Sequence, residues 1–184
     1  MFTQLLERIA RSLDERQIPY MIVGGQAVLI YGEPRLTRDI DITLGVGPER
    51  LGDVLALARA SGWRVLVEKP EEFVQRTLVL PLDDPPSGIR IDLIFSYSAY
   101  ERQALERAHQ VSIGNATVRF AAPEDLIVHK VIAGRPRDME DVRSILTKRT
   151  NLDRAYICHW LAEFDRSLGG TYLQAFEDLS QPFP

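Results

Sequence analysis

Phe2, Leu5, Leu6, Ile9 and Leu13 recur at the spacing of one helix face, while Glu7, Arg8, Arg11, Asp14 and Glu15 fill the other positions. This pattern predicts an amphipathic first helix, limited by Pro19. Residues 20–23 form a short apolar strand ended by Gly24-Gly25, and residues 26–31 a short helix stopped by Gly32 and Pro34. The rhythm then changes, with Ile40, Ile42 and Leu44 alternating with Asp39, Asp41 and Thr43. A period of two belongs to a strand, and it puts the isoleucines and leucine on one face and both aspartates on the other.

Pro48 suits the first turn of a helix whose inward stripe is Leu51, Val54, Leu55 and Ala58, and Gly62 ends it. Residues 63–67 and 73–80 are expected as strands, with residues 83–88, DDPPSG, as a turn or loop. A second alternating run follows, in which Ile89, Ile91, Leu93 and Phe95 are interleaved with Arg90, Asp92, Ile94 and Ser96. Both its faces are fairly apolar, so it reads as an interior strand of a covered sheet. A helix over 97–108, a hairpin over 111–120 around Gly114-Asn115, and helices over 123–132, 136–148, 153–168 and 172–179 complete the chain. The first two thirds are thus α/β and the last third helical, with a seam between Phe120 and Pro123. We expect an α/β core over 1–121 and a helical subdomain over 122–184, since about 60 helical residues are marginal alone.

Composition narrows the function classes. The 184 residues, 45% of them hydrophobic, suffice for one buried core and exclude wholesale disorder. With 22 Lys and Arg against 26 Asp and Glu, the net charge of -4 offers no broad basic footprint for duplex DNA. A single cysteine, Cys158, excludes an intrachain disulfide and a zinc site built on several thiolates, and its apolar helical setting reads as an inert core or half-core thiol. No run approaches the roughly 18 apolar residues of a membrane span, and charges interrupt the N-terminal segment too often for a secretory signal. A cytoplasmic protein with no membrane partner is the expectation.

The chemistry concentrates in Asp39, Asp41 and Asp92. The first two project from one face of a strand with roughly 7 Å between their backbone positions. Like charges so placed cost free energy unless a cation lies between them, and an all-oxygen set suits Mg²⁺ or Mn²⁺ bridging to phosphates. Should the strand bearing Asp92 lie alongside, three carboxylates would converge on a site for two ions. The competing reading is three solvent-facing aspartates on an open sheet. Gly24 and Gly25, between a strand and a helix, would let a phosphate approach the backbone and the helix N-terminus, or serve as a simple turn. They belong to neither a Walker A loop nor a dinucleotide fingerprint. Arg35 and Arg38 flank the aspartate pair and are candidates for phosphate contact, Arg35 favoured, or else solvated loop residues. Lys130 lies on a tail helix ahead of the polar link AGRPRDMED, an accessible segment in which Asp138 and Asp141 share a helix face. Either could anchor Lys130, and Asp138 also fits a helix start. His109, His129 and His159 read as structural.

The segment IVGGQAVLIYGEPRLTRDIDI resembles the signature of the polymerase-beta-like nucleotidyltransferase superfamily: Val23-Gly24-Gly25, thirteen residues, then Asp39-Ile40-Asp41-Ile42. The third carboxylate of that pattern matches Asp92 in Ile91-Asp92-Leu93. The resemblance implies a mixed, mostly antiparallel sheet flanked by helices, with a C-terminal helical subdomain closing a nucleotide cleft. It also implies divalent ions held by Asp39, Asp41 and Asp92 and a triphosphate on Gly24-Gly25. The wording GEPRLTRDIDI and the tail EDLIVHKVIAGRPRDMEDV look closer still to small bacterial nucleotidyltransferases related to AbiEii toxins and MNT-type proteins. That likeness implies that Lys130, with Asp138 or Asp141, contributes to the nucleotide site. The expected reaction moves a nucleoside monophosphate from an NTP to a hydroxyl acceptor, with release of pyrophosphate. Lys130 and Arg35 would stabilise the leaving group, and Asp92 would favour deprotonation of the acceptor. The acceptor stays open between tRNA, a protein and a small molecule such as an antibiotic, and a toxin role would bring a cognate antitoxin protein. The alternative is a nucleotide-binding or protein-interaction module of the same fold without turnover.

Overall fold

A computed structural model describes residues 2–33, 39–96 and 98–181. The chain forms two compact units, Met1–Gln26 with Leu36–Ala121, and Ala27–Arg35 with Ala122–Pro184.

The first unit is built on one seven-stranded sheet. In chain order its strands are β1 (Tyr20–Ile22), β2 (Asp39–Leu44), β3 (Arg64–Val65), β4 (Val79–Asp84), β5 (Ile89–Phe95), β6 (His109–Ile113) and β7 (Ala116–Phe120). They lie side by side as β3-β4-β5-β2-β1-β7-β6. The pairs β1 with β2, β3 with β4, β4 with β5, and β6 with β7 are antiparallel, whereas β2 with β5 and β1 with β7 are parallel. The sheet is therefore mixed and mostly antiparallel, as expected. Helix α1 (Phe2–Glu15) lies on β6 and β7 and buries Leu5, Leu6, Ile9, Ala10 and Leu13. Each large side chain on that stripe contributes about 1.5–3 kcal/mol on leaving water.

Helix α2 (Gly24–Tyr31) starts two residues earlier than the sequence pattern suggests, so the glycine pair is its first turn rather than a loop before it. Pro48–Arg50 is a short 3₁₀ turn leading into α3 (Leu51–Ala60). One expectation fails over most of its length: of residues 73–80 only Val79 and Leu80 are strand, because α4 (Pro70–Thr77) occupies the first five. Pro70 in its first turn, Glu71 and Glu72 beside it and Arg76 in the last turn agree with the helix dipole, and only Val74 is fully buried. Leu78 then takes a left-handed cap at φ 58°, and β4 begins at the next residue. The expected strand over 63–67 shrinks to the two residues of β3. Asp83 and Asp84 complete β4, and the turn is tightened by Ser87, whose Oγ donates to Asp84 Oδ2 at 2.7 Å. Helix α5 (Ala99–Glu106) is started by a capping box between Ser98 and Glu101.

The second unit is helical, with α6 (Pro123–Ala133), α7 (Pro136–Lys148), α8 (Arg154–Leu168) and α9 (Tyr172–Leu179). Helix α6 is its centre, packed against the other three and buried along most of its length. Its buried polar groups are satisfied within the unit: Tyr156 Oη donates to Asp125 Oδ1 at 2.6 Å, and the Asp153 amide donates to Glu124 Oε1 at 3.1 Å. Gly134, at φ 66°, closes α6, and Pro136 opens α7 directly after it. Among the described residues, no helix is long and apolar enough to cross a membrane.

Candidate active site

The carboxylates stand on the sheet because of a two-residue rhythm on two strands. On β2, Ile40 and Ile42 are buried while Asp39 and Asp41 are half-buried on the opposite face. On β5, Ile91, Leu93 and Phe95 are buried while Asp92 is half-buried. The two strands run parallel in a register that sets Asp41 directly beside Asp92 and Asp39 beside Arg90. Neighbours across a ladder project to the same side, so Asp39, Asp41 and Asp92 share one face.

The start of α2 is fitted to this face. The Val23 amide donates to the Asp41 carbonyl at 2.9 Å, which carries the chain from β1 past β2. Gly24 then adopts φ +62°, and a Cβ there would overlap Asp41 Oδ2 and lie 2.9 Å from Cγ. Glycine is needed on both counts, for its left-handed backbone and for the close approach to the carboxylate. Gly25 is buried in the first turn of the helix, not on an exposed loop edge. Gln26 is also buried, and its side-chain amide reaches the Asp39 carbonyl at 3.5 Å.

Asp92 has a partner that the carboxylate pattern did not single out. Arg90, two residues earlier on the same face of β5, donates from Nε to Oδ1 and Oδ2 at 2.9 and 3.0 Å. The period-two spacing that links Asp39 with Asp41 also links Arg90 with Asp92, and it is the signal by which the pair could have been found. Among the described residues, no three His, Cys, Asp or Glu side chains are gathered closely enough to hold a metal ion. The donor chemistry and the register suit a divalent cation, while Asp92 is turned to a guanidinium. Arg35 and Arg38 lie outside the described residues.

Lys130, Asp138 and Asp141 form a compact cluster within the helical unit. The Lys130 ammonium donates to Asp138 Oδ1 at 2.8 Å and to Asp141 Oδ2 at 2.7 Å, so both aspartates hold it. All three side chains are at most 6% exposed, whereas the segment bearing Asp138 and Asp141 was expected to be accessible. Arg135 adds a second cation, its Nε 2.6 Å from Asp138 Oδ2. Burial pushes the Asp138 carboxyl up, but the hydrogen bonds from Arg135 and Lys130 outweigh it and hold the group below its ordinary value.

A mixed sheet with paired acidic positions on neighbouring parallel strands and a glycine-started helix against them is the fold of polymerase-beta-like nucleotidyltransferases. Solved structures share it. The antibiotic-resistance factor ANT(2″)-Ia, in complex with adenylyl-2″-tobramycin, matches with a TM-score of 0.62 and 22% identity over 91% of this chain and 98% of that one. An antigenic nucleotidyltransferase-like protein from Paracoccidioides brasiliensis matches with a TM-score of 0.56 and 18% identity, covering 94% of this chain and 92% of that one. The lincosamide antibiotic adenylyltransferase LnuA, lincomycin-bound, matches with a TM-score of 0.53 and 15% identity, covering 77% and 94%. A comparison with curated proteins found no match. Residues 1–159 match the family described as nucleotidyltransferase of unknown function, DUF6036, and the chain belongs to that family.

Proposed function

We propose that this chain transfers a nucleoside monophosphate from an NTP to a hydroxyl acceptor in the cytoplasm. The observation that carries this reading is the register of β2 and β5, which sets Asp41 beside Asp92 with Asp39 on the same face. Asp39, Asp41 and Asp92 would hold Mg²⁺ or Mn²⁺, which when bound supplies neutralisation of the triphosphate charge and a more acidic acceptor hydroxyl. The first-turn amides of α2 at Gly24 and Gly25 would receive the β and γ phosphates, aided by the positive end of the helix. The acceptor oxygen attacks the α-phosphorus and the bond from that phosphorus to the bridging oxygen breaks. Pyrophosphate leaves with the electron pair. The acceptor proton passes to an Asp92 carboxylate oxygen once Arg90 releases it.

The second reading, a nucleotide-binding module without turnover, draws on the same contact, because Arg90 already neutralises Asp92. An assay of pyrophosphate release separates the two readings, using each labelled NTP with Mg²⁺ or Mn²⁺. Aminoglycosides and lincosamides would be offered as acceptors by analogy with the structural neighbours. Total tRNA and protein would be offered by analogy with the AbiEii-like and MNT-type group, in which a cognate antitoxin would be the protein partner. Transfer that Asp41→Asn abolishes supports the enzyme. NTP binding with no transfer to any acceptor class supports the module.

A further inference from the structure

We infer that a cavity at the far end of β1 from Gly24 binds a neutral cyclic amide, a ring whose C=O and N–H lie side by side, as on the edge of an oxo-substituted nucleobase. The cavity measures about 320 Å³, at the low end of the roughly 300–1,000 Å³ of small-molecule sites. It lies within the first unit, where α1 ends and β1 begins, with Leu105 of α5 and Arg119 of β7 alongside. In the register of β1 with β2, Tyr20 stands opposite Leu44, three residues beyond Asp41. The site is therefore separate from the carboxylate face and independent of the reading given for it.

Tyr20 is 1% exposed and yet lines this cavity. Its hydroxyl accepts from the Arg119 amide at 3.3 Å and, among the described residues, donates to no acceptor. Burial raises the phenol above its ordinary 10.0, so the group keeps its proton at neutral pH. A buried donor is left half-satisfied, and with the amide seated on its oxygen the cavity is the side from which an acceptor can reach the proton. Beside it stand a base and an acid in contact. Arg119 lies over the Tyr20 ring, its Cζ 5.4 Å from the centroid, and gives one of its five N–H groups to Asp14 Oδ1. The pair sets carboxylate oxygens next to guanidinium donors.

A ligand that meets both groups needs an acceptor and a donor at equally close spacing, which an amide held cis in a ring supplies. Its carbonyl takes protons from Tyr20 and Arg119, and its N–H goes to Asp14. An anion would compete with Asp14 for Arg119 and a cation would compete with Arg119 for Asp14, whereas a neutral ligand leaves the ion pair in place. Ile18, Pro19 and Leu105 add apolar walls for the body of the ring. Pro19 and Leu105 both close on Gly45, where a Cβ would come within 2.7 Å of Pro19 Cβ and 3.3 Å of Leu105 Cδ1. Exposed Gln17 ends α1 at φ 53°, a left-handed conformation that glycine adopts at less cost, and so brings a carboxamide to the lining in spite of its backbone. Such a ring has two sources, a bare cyclic amide or the base of a nucleoside.

The test is a ¹⁵N NMR titration of the full chain in EDTA, which suppresses metal-dependent binding at the carboxylate face. The probes are uridine and 2-piperidone, each with its N-methylated form. Saturable shifts of the Gln17, Ile18, Leu105 and Arg119 amides are expected with uridine, with 2-piperidone or with both, and methylating the ring nitrogen should weaken binding at least tenfold. Uridine more than tenfold tighter than 2-piperidone identifies a nucleoside as the source, and any smaller preference identifies the bare cyclic amide. Tyr20→Phe keeps the ring and removes the proton, so it should weaken binding at least fivefold, and Asp41→Asn should leave it unchanged. If Tyr20→Phe melts early, Asp14→Ala, at an exposed side chain, is read in the same way. No saturable shift at these amides, a loss of less than tenfold on methylation, or a loss of less than fivefold in the variant would each overturn the assignment.

Discussion

Arg90 and Asp92 are joined by two hydrogen bonds from one nitrogen, Nε to Oδ1 at 2.9 Å and Nε to Oδ2 at 3.0 Å, on the same face of β5. The guanidinium thus stands where a cation is wanted beside the acidic residues. It is half exposed, so the pair contributes only about 0–1 kcal/mol to folding. Arg90→Gln should therefore leave the melting temperature within a few degrees and free Asp92 for another cation. We expect Mn²⁺ to bind several-fold more tightly in the variant, measured from the signal of free Mn²⁺ by electron paramagnetic resonance at low salt. Equal or weaker Mn²⁺ binding would mean that Asp92 is not a ligand.

Gly24→Ala combines two costs. The left-handed backbone at φ +62° is worth roughly 1–2 kcal/mol against any residue with a Cβ, and the new methyl would overlap the Asp41 carboxylate. A control is available in Gly52, in α3, where a Cβ meets nothing within 4 Å. Gly52→Ala should be neutral or stabilising by about 0.5–1 kcal/mol, as expected for a helix position. Calorimetry should find Gly24→Ala lower by several degrees and the nucleotide affinity lost with it. A Gly24→Ala protein that melts like Gly52→Ala would remove the close approach of α2 to Asp41 from the argument.

Strict alternation made β2 and β5 legible, because two-residue periodicity has no helical counterpart and each strand buries three large apolar side chains on one face. The helices of the last third were legible for the matching reason, with Pro123 and Pro136 starting α6 and α7, Asp153 capping α8, and Gly134 and Gly169 ending α6 and α8. Residues 70–77 were not, since Phe73, Val74 and Leu78 mimic a short apolar strand, and the helix is marked by Pro70 in its first turn and the order of charges, acidic first and basic last. The glycine pair was recognised but placed before its helix, because low helix propensity hides a first turn whose conformation is set by Asp41. Burial of Lys130 could not be seen either. Its two aspartate partners lie on the next helix, and a lone lysine cation reads as exposed until the turn at Gly134 folds α7 back on α6.

Tyr31 tests the packing of the helical unit. Burial raises its phenol from 10.0 to about 12, with Glu124 and Asp125 acting in the same direction and Arg149 opposing. A folded value above the unfolded one contributes stability that is full below pH 10 and is lost as the pH rises toward 12. The amount at stake is roughly 2–3 kcal/mol. Ultraviolet titration of the six tyrosines should show a late phenol that is absent in Tyr31→Phe, and the variant should lose less stability than the parent between these pH values. If the phenol lost in Tyr31→Phe titrates near pH 10 instead of late, Tyr31 is accessible.

Lys130, Asp138 and Asp141 carry the largest single-site effect we expect. The ammonium is shared by both carboxylates, and Arg135 adds a contact to Asp138. Lys130→Met would leave the Asp141 carboxylate buried without its ammonium, a change of roughly 3–5 kcal/mol. For a chain of this size that corresponds to a fall in melting temperature of roughly 6–20 °C. Adding Asp138→Asn and Asp141→Asn removes the orphaned charges and should recover most of the loss, which distinguishes charge imbalance from lost packing. The pH dependence follows from Asp138, whose carboxyl is held below its ordinary 3.8. A depressed folded value gives stability that is complete above the unfolded value and is lost as the pH falls through the folded one. Denaturant unfolding between pH 5 and pH 2 should therefore show a loss below about pH 4 that Asp138→Asn makes shallower. A Lys130→Met protein that melts with the parent, and an acid limb unchanged in Asp138→Asn, would show that the cluster does not hold α6 to α7.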